Sequence, residues 1–401
     1  MSGTGAAPRE IASGVYWVGV NDRNKKLFEA VWPIPHGISY NAYAVVGERG
    51  VALIDAVDEP FADEYLGKVK EVVGDLDRVK YLVANHLEPD HHGATPLILE
   101  KLRDAKLVVS PMASRIAPSL YRLASDRLIQ VGDGEAIDLG GKTLRFLHLP
   151  WLHWPETMAT LDVEDSILFS CDAFGSYGAL EGGIFDDEVD LDFYLAEARR
   201  YFSNIVAKYS RNVLIALEKV KRIAAKIIAP SHGPVYRQHA NRILELYERW
   251  AKPEPERDRV LLVYGSMYGR ARALAESLAR RLEDLGMRVV VQDASTIHPS
   301  YVLSELVEAR TLVLVYATYD AGIFPPIEWL LYLVQLKELG RGRNAALVNA
   351  YSWGPTSKIA LEYLQRAGFR VIEPVVETKA LPDERAMEEI ARLAEAVASA
   401  R

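Results

Sequence analysis

The stretch Asn85-His86-Leu87-Glu88-Pro89-Asp90-His91 follows the strand-like sequence Val79 to Val83 and concentrates metal-binding side chains at a predicted strand end. It predicts an α/β fold with ligands on its loops, and the four donors are His86, Glu88, Asp90 and His91. Alternate residues of an extended loop project to one side, and the adjacent Asp90-His91 pair can reach a second centre. We therefore expect two metal ions. Pro89 fixes φ and predicts that the loop stays extended rather than helical.

The donor types indicate which metal is bound. A dinuclear zinc hydrolase would favour imidazole at most of these positions, whereas Glu88 supplies a hard oxygen donor. Mixed histidine and carboxylate ligands favour iron or manganese. An acidic, solvated loop with incidental histidines is the alternative.

Composition sets the broad class of the protein. The 401 residues are 49% hydrophobic and 25% charged, as in ordinary globular proteins, and their number predicts about two domains. The net charge of -8 argues against nucleic-acid binding, and no apolar run predicts a membrane span or a leader. The single cysteine, Cys171, excludes an intrachain disulfide and a cysteine-ligated cluster. We expect a cytoplasmic protein.

Two regions with different patterns flank a proline-containing, charged linker at residues 251–258. Before it, short strand candidates such as Ile38 to Val46 and interspersed helices predict layered sheets with helices outside. One predicted helix contains Glu197-Ala198-Arg199-Arg200, typical of a solvated, ion-paired face. After the linker, five strands alternate with helices and predict a doubly wound parallel sheet. The predicted domains are residues 1–252 and 258–401.

Three later residues complete a candidate dinuclear site: His153, Asp172 and His232. Each follows an apolar strand-like stretch, so each is expected at a sheet edge. Each also has an ordinary alternative: a buried hydrogen-bonded ring, a helix cap and a turn histidine, respectively. His148 competes with His153 but is expected to pack within its strand. Asp55 is either a partner behind the ligands or an ordinary turn residue.

This ordered set of residues resembles that of the flavodiiron proteins, also called A-type flavoproteins or rubredoxin:oxygen oxidoreductases. The resemblance spans nearly the whole chain. It implies an N-terminal metallo-β-lactamase-like αββα sandwich followed by a flavodoxin-like domain. It also implies one iron bound by His86, Glu88 and His153, and another bound by Asp90, His91 and His232. Asp172 would bridge them, and Asp172, Glu88 and His86 are the expected catalytic residues.

Three loops of the C-terminal half predict a flavin site. The first, between a strand and a helix, has the glycine and hydroxyl residues of a phosphate loop but not the dinucleotide pattern G-x-G-x-x-G, so FMN is expected. A threonine that commonly closes this loop is replaced by Ala271, and Arg270 is expected to compensate. A tight turn without a ligand, and aromatics that only pack the sheet end, are the alternatives. The expected FMN-binding residues are Ser266, Met267, Tyr268, Gly269, Arg270, Ala271, Thr318, Tyr319, Asp320, Ala321, Gly322, Ala350, Tyr351, Ser352, Trp353 and Gly354.

Together, FMN and two irons predict an enzyme that reduces oxygen to water or nitric oxide to nitrous oxide. The resemblance implies a head-to-tail homodimer, or a dimer of such dimers, in which the FMN of one chain faces the diiron site of the other. It also implies a separate electron donor, such as rubredoxin or a deazaflavin. Two other functions are alternatives: a metallo-β-lactamase-type hydrolase with a flavin domain, and a flavodoxin-like electron carrier with a docking module. Glu88 argues against the first, and the full ligand set against the second.

Overall fold

The computed structural model describes residues 7–379 and 381–400. Its contacts divide the chain into two compact units. The first unit contains the described residues up to Phe202 together with Arg211–Glu248, and the second contains Ser203–Ser210 and the described residues from Arg249 onward.

The first unit contains two mixed sheets. The order of strands in the seven-stranded sheet is Arg9–Ala12, Val15–Trp17, Tyr43–Val46, Val51–Ile54, Val79–Val83, Lys106–Val109 and Leu128–Gln130. The five-stranded sheet has the order Ala136–Asp138, Thr143–His148, Met158–Asp162, Ile167–Cys171 and Ile227–Pro230. In each sheet the first strands pair antiparallel and the last pair parallel.

One hydrophobic core joins these two sheets. Buried side chains from the first sheet, including Ile54 and Val83, share a cluster with Phe146 and Phe169 from the second. The helices are Ala62–Val73, Pro89–His92, Thr95–Lys101, Ala113–Tyr121, Leu191–Tyr201, Ser210–Ile223 and Ala240–Ala251. Two packed sheets with helices are the predicted αββα arrangement, which is confirmed.

The prediction of one strand from Ile38 to Val46 was wrong. Ile38–Tyr40 pairs with Val20–Asp22 in a separate two-stranded sheet, and Tyr43–Val46 belongs to the large sheet. Asn41 interrupts the strand because its backbone N–H donates to the carbonyl of Ser231 at 2.8 Å. Its side-chain amide also donates to the carbonyls of Pro230 and Gly233. The apolar alternation does not reveal this break.

Two other local predictions were wrong. Pro89 begins the short helix Pro89–His92 instead of keeping the loop extended, because proline at the first helical position loses no intrahelical hydrogen bond. Arg200 forms the predicted ion pair, with Glu197, but it does not lie on a solvated face. It is 2% exposed, donates to the carbonyl of Pro33 and stacks on the ring of Tyr177 at 4.4 Å.

The second unit contains a parallel sheet with the flavodoxin order 2-1-3-4-5. Its path runs Arg288–Asp293, Glu256–Gly265, Ala309–Tyr319, Asn344–Tyr351 and Arg370–Val371, while Val376–Lys379 also pairs with Asn344–Tyr351 and Gly322–Ile323 with Ala309–Tyr319. The helices are Arg270–Asp284, Pro299–Leu306, Pro325–Leu336, Ser357–Arg366 and Glu384–Ser399.

Helices cover both faces of this sheet. Alternate residues Val260 and Leu262 pack against Leu278 and Ile390, which come from the helices Arg270–Asp284 and Glu384–Ser399. The intervening residues Leu261 and Val263 are also fully buried, so the other face is covered as well. The predicted doubly wound sheet is confirmed. Among the described helices, none has the length and apolarity needed to cross a membrane.

Candidate metal centre and flavin loops

Seven predicted ligands converge at the ends of strands in the first unit. His86 and Glu88 follow Val79–Val83, with Asp90 and His91 in the helical turn after them. The others lie on three further loops, after Thr143–His148, Ile167–Cys171 and Ile227–Pro230. The structure brings them into two groups whose ligand atoms lie within 4.8 Å of one another: His86, Glu88, His153 and Asp172 in one, and Asp90, His91 and His232 in the other.

The first group surrounds one carboxylate oxygen of Glu88. Oε2 of Glu88 lies 3.1 Å from Nε2 of His86 and 2.9 Å from Nε2 of His153. The two imidazoles are buried, and the side chain of Glu88 is 14% exposed. Besides the carboxylate of Asp172, this group offers two nitrogens and one oxygen. His86 and Glu88 lie on one short loop, and His153 is 65 positions after Glu88.

The second group pairs Asp90 with two imidazoles. Its Oδ2 lies 3.2 Å from Nε2 of His232, and its Oδ1 lies 3.6 Å from Nε2 of His91. Both histidines are fully buried. The donors of this group are again two nitrogens and an oxygen.

Asp172 contacts both groups through different oxygens. Its Oδ2 lies 3.5 Å from Nε2 of His86 and 3.3 Å from Nε2 of His153. Its Oδ1 lies 2.9 Å from Nε2 of His91 and 3.4 Å from Nε2 of His232. A carboxylate with one oxygen towards each group is placed to bridge two cations.

Several of these atoms lack the hydrogen bonds that buried polar atoms normally make. Among the described residues, both oxygens of Asp90, Oδ2 of Asp172 and Nε2 of His232 have no aligned hydrogen-bond partner. His232 and Asp90 are within ion-pair distance, yet they are not oriented to bond to each other. Atoms that converge without bonding to one another are expected of metal ligands. The donor set therefore fits a pair of iron ions.

The carboxylates and histidines of the site shift each other's pKa values. Burial raises the pKa of Glu88 and of Asp172, but contacts with the histidines outweigh burial and lower both. Burial lowers the pKa of His86 and of His153, but neighbouring carboxylates raise each to about 10. Burial also lowers the pKa of His91, but the negative charges of Asp90 and Asp172 raise it to about 9. Glu88 and Asp172 are thus ionised and available to metals at neutral pH.

The outer nitrogens of two histidines are held by different partners. Nδ1 of His86 lies 3.2 Å from Oε1 of Glu156, and Nδ1 of His232 lies 2.7 Å from the carbonyl of Ser39. Because both acceptors lack a proton, each Nδ1 carries a hydrogen, which leaves Nε2 as the nitrogen that can bind a metal. Glu156 was not identified from the sequence, although it follows His153 by three residues.

Asp55 supports the ligand loops from behind. Its carboxylate accepts hydrogen bonds from the backbone N–H and the side-chain amide of Asn85 at 2.9 and 3.0 Å. It also lies 3.4 Å from the hydroxyl of Ser231 and from Nε2 of His92. Each of these three partners is adjacent in sequence to a predicted ligand. The structure thus places Asp55 as a partner of the ligand loops.

His148 and Cys171 belong to neither of the two ligand groups. Nε2 of His148 contacts the carbonyl of Val131, and His148 is not in either ligand group. The thiol of Cys171 lies within 4.8 Å of ligand atoms of His91 and Asp172. Burial, followed by the charge of Asp172, raises the pKa of Cys171 well above its ordinary value, so this thiol remains protonated.

Aromatic rings surround the second group and exclude water from it. Phe28, Tyr40 and Tyr201 have ring centroids 5.5, 5.9 and 5.6 Å from that of His232. At the first group, the ring of Trp154 lies 4.8 Å from that of His86 in an edge-to-face arrangement. These contacts restrict the histidine rings and lower the local dielectric.

The predicted flavin loops meet at the carboxyl ends of three strands in the second unit. A shared pocket is lined by Ser266, Met267, Tyr268, Arg270, Ala271, Ala317, Thr318, Ala350, Tyr351 and Ser352. Ala317 was missed by the sequence analysis. Seven other predicted residues are not among those that line this pocket: Gly269, Tyr319, Asp320, Ala321, Gly322, Trp353 and Gly354.

The first loop fits a phosphate group. The helix Arg270–Asp284 begins after Gly269, whose φ of 81° suits glycine, and Gly269 provides no side-chain cap. The helix therefore presents uncapped backbone N–H groups to the pocket. Within the described part of the chain, the buried Oγ of Ser266 has no hydrogen-bond partner. Tyr268 and Trp353 are 89% and 75% exposed, as unpacked rings near a planar ligand would be.

Both halves of the chain are similar to known protein families. Residues 38–233 match the family model described as ODP family beta lactamase, and residues 262–393 match that of flavodoxin. A nitric oxide reductase from Moorella thermoacetica is 33% identical over 370 residues, which are 91% of each chain. A coenzyme F420H(2) oxidase from Methanothermobacter marburgensis is 32% identical over 91% of this chain and 92% of its own.

The rubredoxin oxygen:oxidoreductase of Desulfovibrio gigas has the same fold, with a TM-score of 0.93, 27% identity and 98% of each chain covered. The chain belongs to the flavodiiron protein family. As a flavodiiron protein it is an oxidoreductase, and this function is favoured over the rival hydrolase. The predicted cofactors of this flavodiiron protein, FMN and two non-haem irons, are confirmed.

Proposed function

We propose that this protein reduces dioxygen to water or nitric oxide to nitrous oxide, using electrons that pass from an external donor through FMN to the diiron site. The observation that carries the proposal is the position of Asp172, with Oδ2 towards His86 and His153 and Oδ1 towards His91 and His232. A carboxylate bridge holds two metals close enough to act on one small molecule.

We assign each cation to one of the two ligand groups. His86, Glu88 and His153 would hold one iron, and Asp90, His91 and His232 the other, with Asp172 shared. Reduced FMN and two ferrous ions supply the electrons for the reaction. In this assignment Glu88, Asp172 and His86 are the catalytic residues.

The side chains also control access to the site. Glu88 is the most exposed of the seven ligands, so a small molecule would enter on its side. The rings of Phe28 and Tyr201 cover His232 from another side and exclude water there. Nδ1 of His86 is held by Glu156, and Nδ1 of His232 by the carbonyl of Ser39. Neither ring can therefore turn its Nε2 away from the site without losing a hydrogen bond.

We propose that FMN binds across the three loops of the second unit. The phosphate would lie at the N-terminus of Arg270–Asp284, near Ser266 and Arg270, and the ring system near Thr318, Tyr351 and Ser352. Tyr319 and Trp353 are exposed, and each is adjacent in sequence to a residue that lines the pocket, which supports a role in covering the flavin.

The finer points of partnership are also proposals. Rubredoxin is one candidate donor, supported by the name of the Desulfovibrio relative, and a reduced deazaflavin is another, supported by that of the Methanothermobacter relative. We propose a head-to-tail homodimer or a dimer of such dimers, domains at residues 1–252 and 258–401, and a cytoplasmic location. Light scattering would test the assembly.

The test of the function is anaerobic stopped-flow spectroscopy on the reduced, iron-loaded protein, mixed separately with dioxygen and nitric oxide. Rapid reoxidation of the flavin by either gas is expected. Elemental analysis accompanies it, because about two zinc ions per chain without iron would contradict the proposal.

The variant Asp172→Asn tests the bridge. The amide has one oxygen and no charge, so gas consumption should be lost while FMN absorbance persists. Asp104→Asn is the matched control, because Asp104 is exposed in the same unit. Turnover by Asp172→Asn equal to that of the control would exclude the bridging role.

A further inference from the structure

Glu156 makes the two ligand groups chemically different. Its side chain is fully buried, and Oε1 lies 3.2 Å both from Nδ1 of His86 and from the backbone N–H of Leu87. Its backbone carbonyl accepts a hydrogen bond from the hydroxyl of Ser110 at 2.8 Å. The carboxylate is thus fixed behind one histidine of the first group.

Among the described residues, no equivalent carboxylate lies behind the histidines of the second group. Nδ1 of His232 donates to the neutral carbonyl of Ser39. Nδ1 of His91 is buried and has no hydrogen-bond partner within residues 7–379 and 381–400. A carboxylate that accepts the N–H of a ligating imidazole increases the electron density on the opposite nitrogen, whereas a carbonyl does so less.

We infer that Glu156 is a positioning residue that gives the metal position of His86, Glu88 and His153 the higher affinity of the two. The inference rests on the assignment of ligands in the proposed function. Glu156 holds the proton of His86 on Nδ1, directs Nε2 towards Glu88 and Asp172, and makes that nitrogen a stronger donor.

The charge of Glu156 can be removed without changing how its side chain packs. Gln at this position can still accept the hydrogen bonds of His86 and Leu87 through its remaining oxygen. The NH₂ group would replace Oε2, which is buried without a hydrogen-bond partner among the described residues. Glu156→Gln therefore removes the charge and retains the shape.

The test titrates the chelated, FMN-loaded full chain with Co²⁺ alone and follows its visible absorption. The wild-type protein should bind two ions in two steps. Glu156→Gln should weaken the tighter step by about 10- to 100-fold, the usual effect of losing a partner behind a metal ligand, and leave the weaker step unchanged. Glu100→Gln, an exposed change in the same unit, should alter neither step.

Combining Glu156→Gln with a variant of either ligand group identifies which metal position Glu156 affects. In His232→Ala, which weakens the second position, Glu156→Gln should have its full effect. In His153→Ala, which weakens the first, it should have almost none. Equal weakening of both steps, or an equal effect in both backgrounds, would overturn the inference by indicating a general structural role.

If Glu156→Gln does not fold, Glu156→Asp decides the question, because it keeps the charge and shortens the side chain. Selective weakening of the tighter step would support the inference, and unselective weakening would overturn it. A wild-type protein that binds only one Co²⁺ would instead contradict the diiron assignment itself.

Discussion

Oδ1 of Asp172 lies 2.9 Å from Nε2 of His91, which joins a loop after a strand of the five-stranded sheet to a helical turn after a strand of the seven-stranded sheet. The two residues are 81 positions apart. The site therefore depends on how the two sheets pack, and residues that fix the loops should affect metal binding without contacting the metal.

Asp55→Asn should lower both the melting temperature and the iron content. An amide cannot accept all the hydrogen bonds of Asn85, Ser231 and His92, and one buried donor left unsatisfied costs about 1–3 kcal/mol. Backbone strain is not the cause, because Asp55 has a φ of 55°, which Asn also tolerates. Differential scanning calorimetry and iron analysis, with Asp104→Asn as the control, would measure both effects. An unchanged iron content would show that the loops hold their positions without Asp55.

Glu88→His should shift the metal preference from iron towards zinc. The change replaces the oxygen between His86 and His153 with a third nitrogen, and nitrogen-rich sites favour zinc. The measurement offers equal amounts of ferrous iron and zinc to the chelated protein under anaerobic conditions. A ratio of bound metals equal to that of the wild type would mean that Glu88 does not determine the metal.

Metal affinity should rise with pH and fall on acidification. Neighbouring carboxylates raise the pKa of His86 and His153 to about 10 and that of His91 to about 9, above the ordinary value of 6.5. These imidazoles must lose their protons to bind a metal, so protons compete with metals below pH 9. Calorimetric titration at pH 7, in two buffers of different ionisation enthalpy, should detect proton release on binding. Binding without proton release would be inconsistent with this charge state.

The same shifts predict how the stability of the chelated protein depends on pH. The raised histidine pKa values contribute stability that is fully present below about pH 6.5 and is lost as the pH rises through about 9 to 10. The lowered pKa of Asp172 contributes stability that is lost only when the pH falls well below the ordinary carboxyl range. The melting temperature should therefore decline between about pH 6.5 and 10, and a constant value from pH 7 to 10 would contradict this.

FMN binding should depend on Arg270 more than it does in a loop closed by threonine. Ala271 lines the pocket and offers no hydroxyl, and Arg270 lines the same pocket. Arg270→Ala should weaken FMN binding but leave riboflavin, which lacks the phosphate, almost unaffected. Ala271→Thr should hold FMN at least as tightly. Fluorescence titration of the flavin-free protein measures both, and Arg280→Ala, an exposed change on the same helix, is the control. Equal losses for FMN and riboflavin would place Arg270 away from the phosphate.

Much of the fold was accessible from local pattern. Strands such as Val79–Val83, and the helix and strand alternation from residue 256 onward, follow from hydrophobic periodicity and were predicted in type and approximate position. Local sequence pattern does not reveal irregularities that are caused by contacts with residues distant in the sequence. Asn41 interrupts a predicted strand because it bonds to residues about 190 positions away, and Arg200 is buried by contacts with Pro33 and Tyr177.

The chemical identity of the donors can be read from the amino-acid sequence. Histidines and carboxylates at strand ends specify a mixed nitrogen and oxygen site, because ligand type and the periodicity of strands are local properties. Three relations become visible only in the folded chain. Each oxygen of Asp172 contacts particular histidines, and Glu156 holds the outer nitrogen of His86. Asp55 joins the loops of Asn85 and Ser231. These relations depend on the packing of two sheets around one core, which brings together residues that are 30 to 176 positions apart.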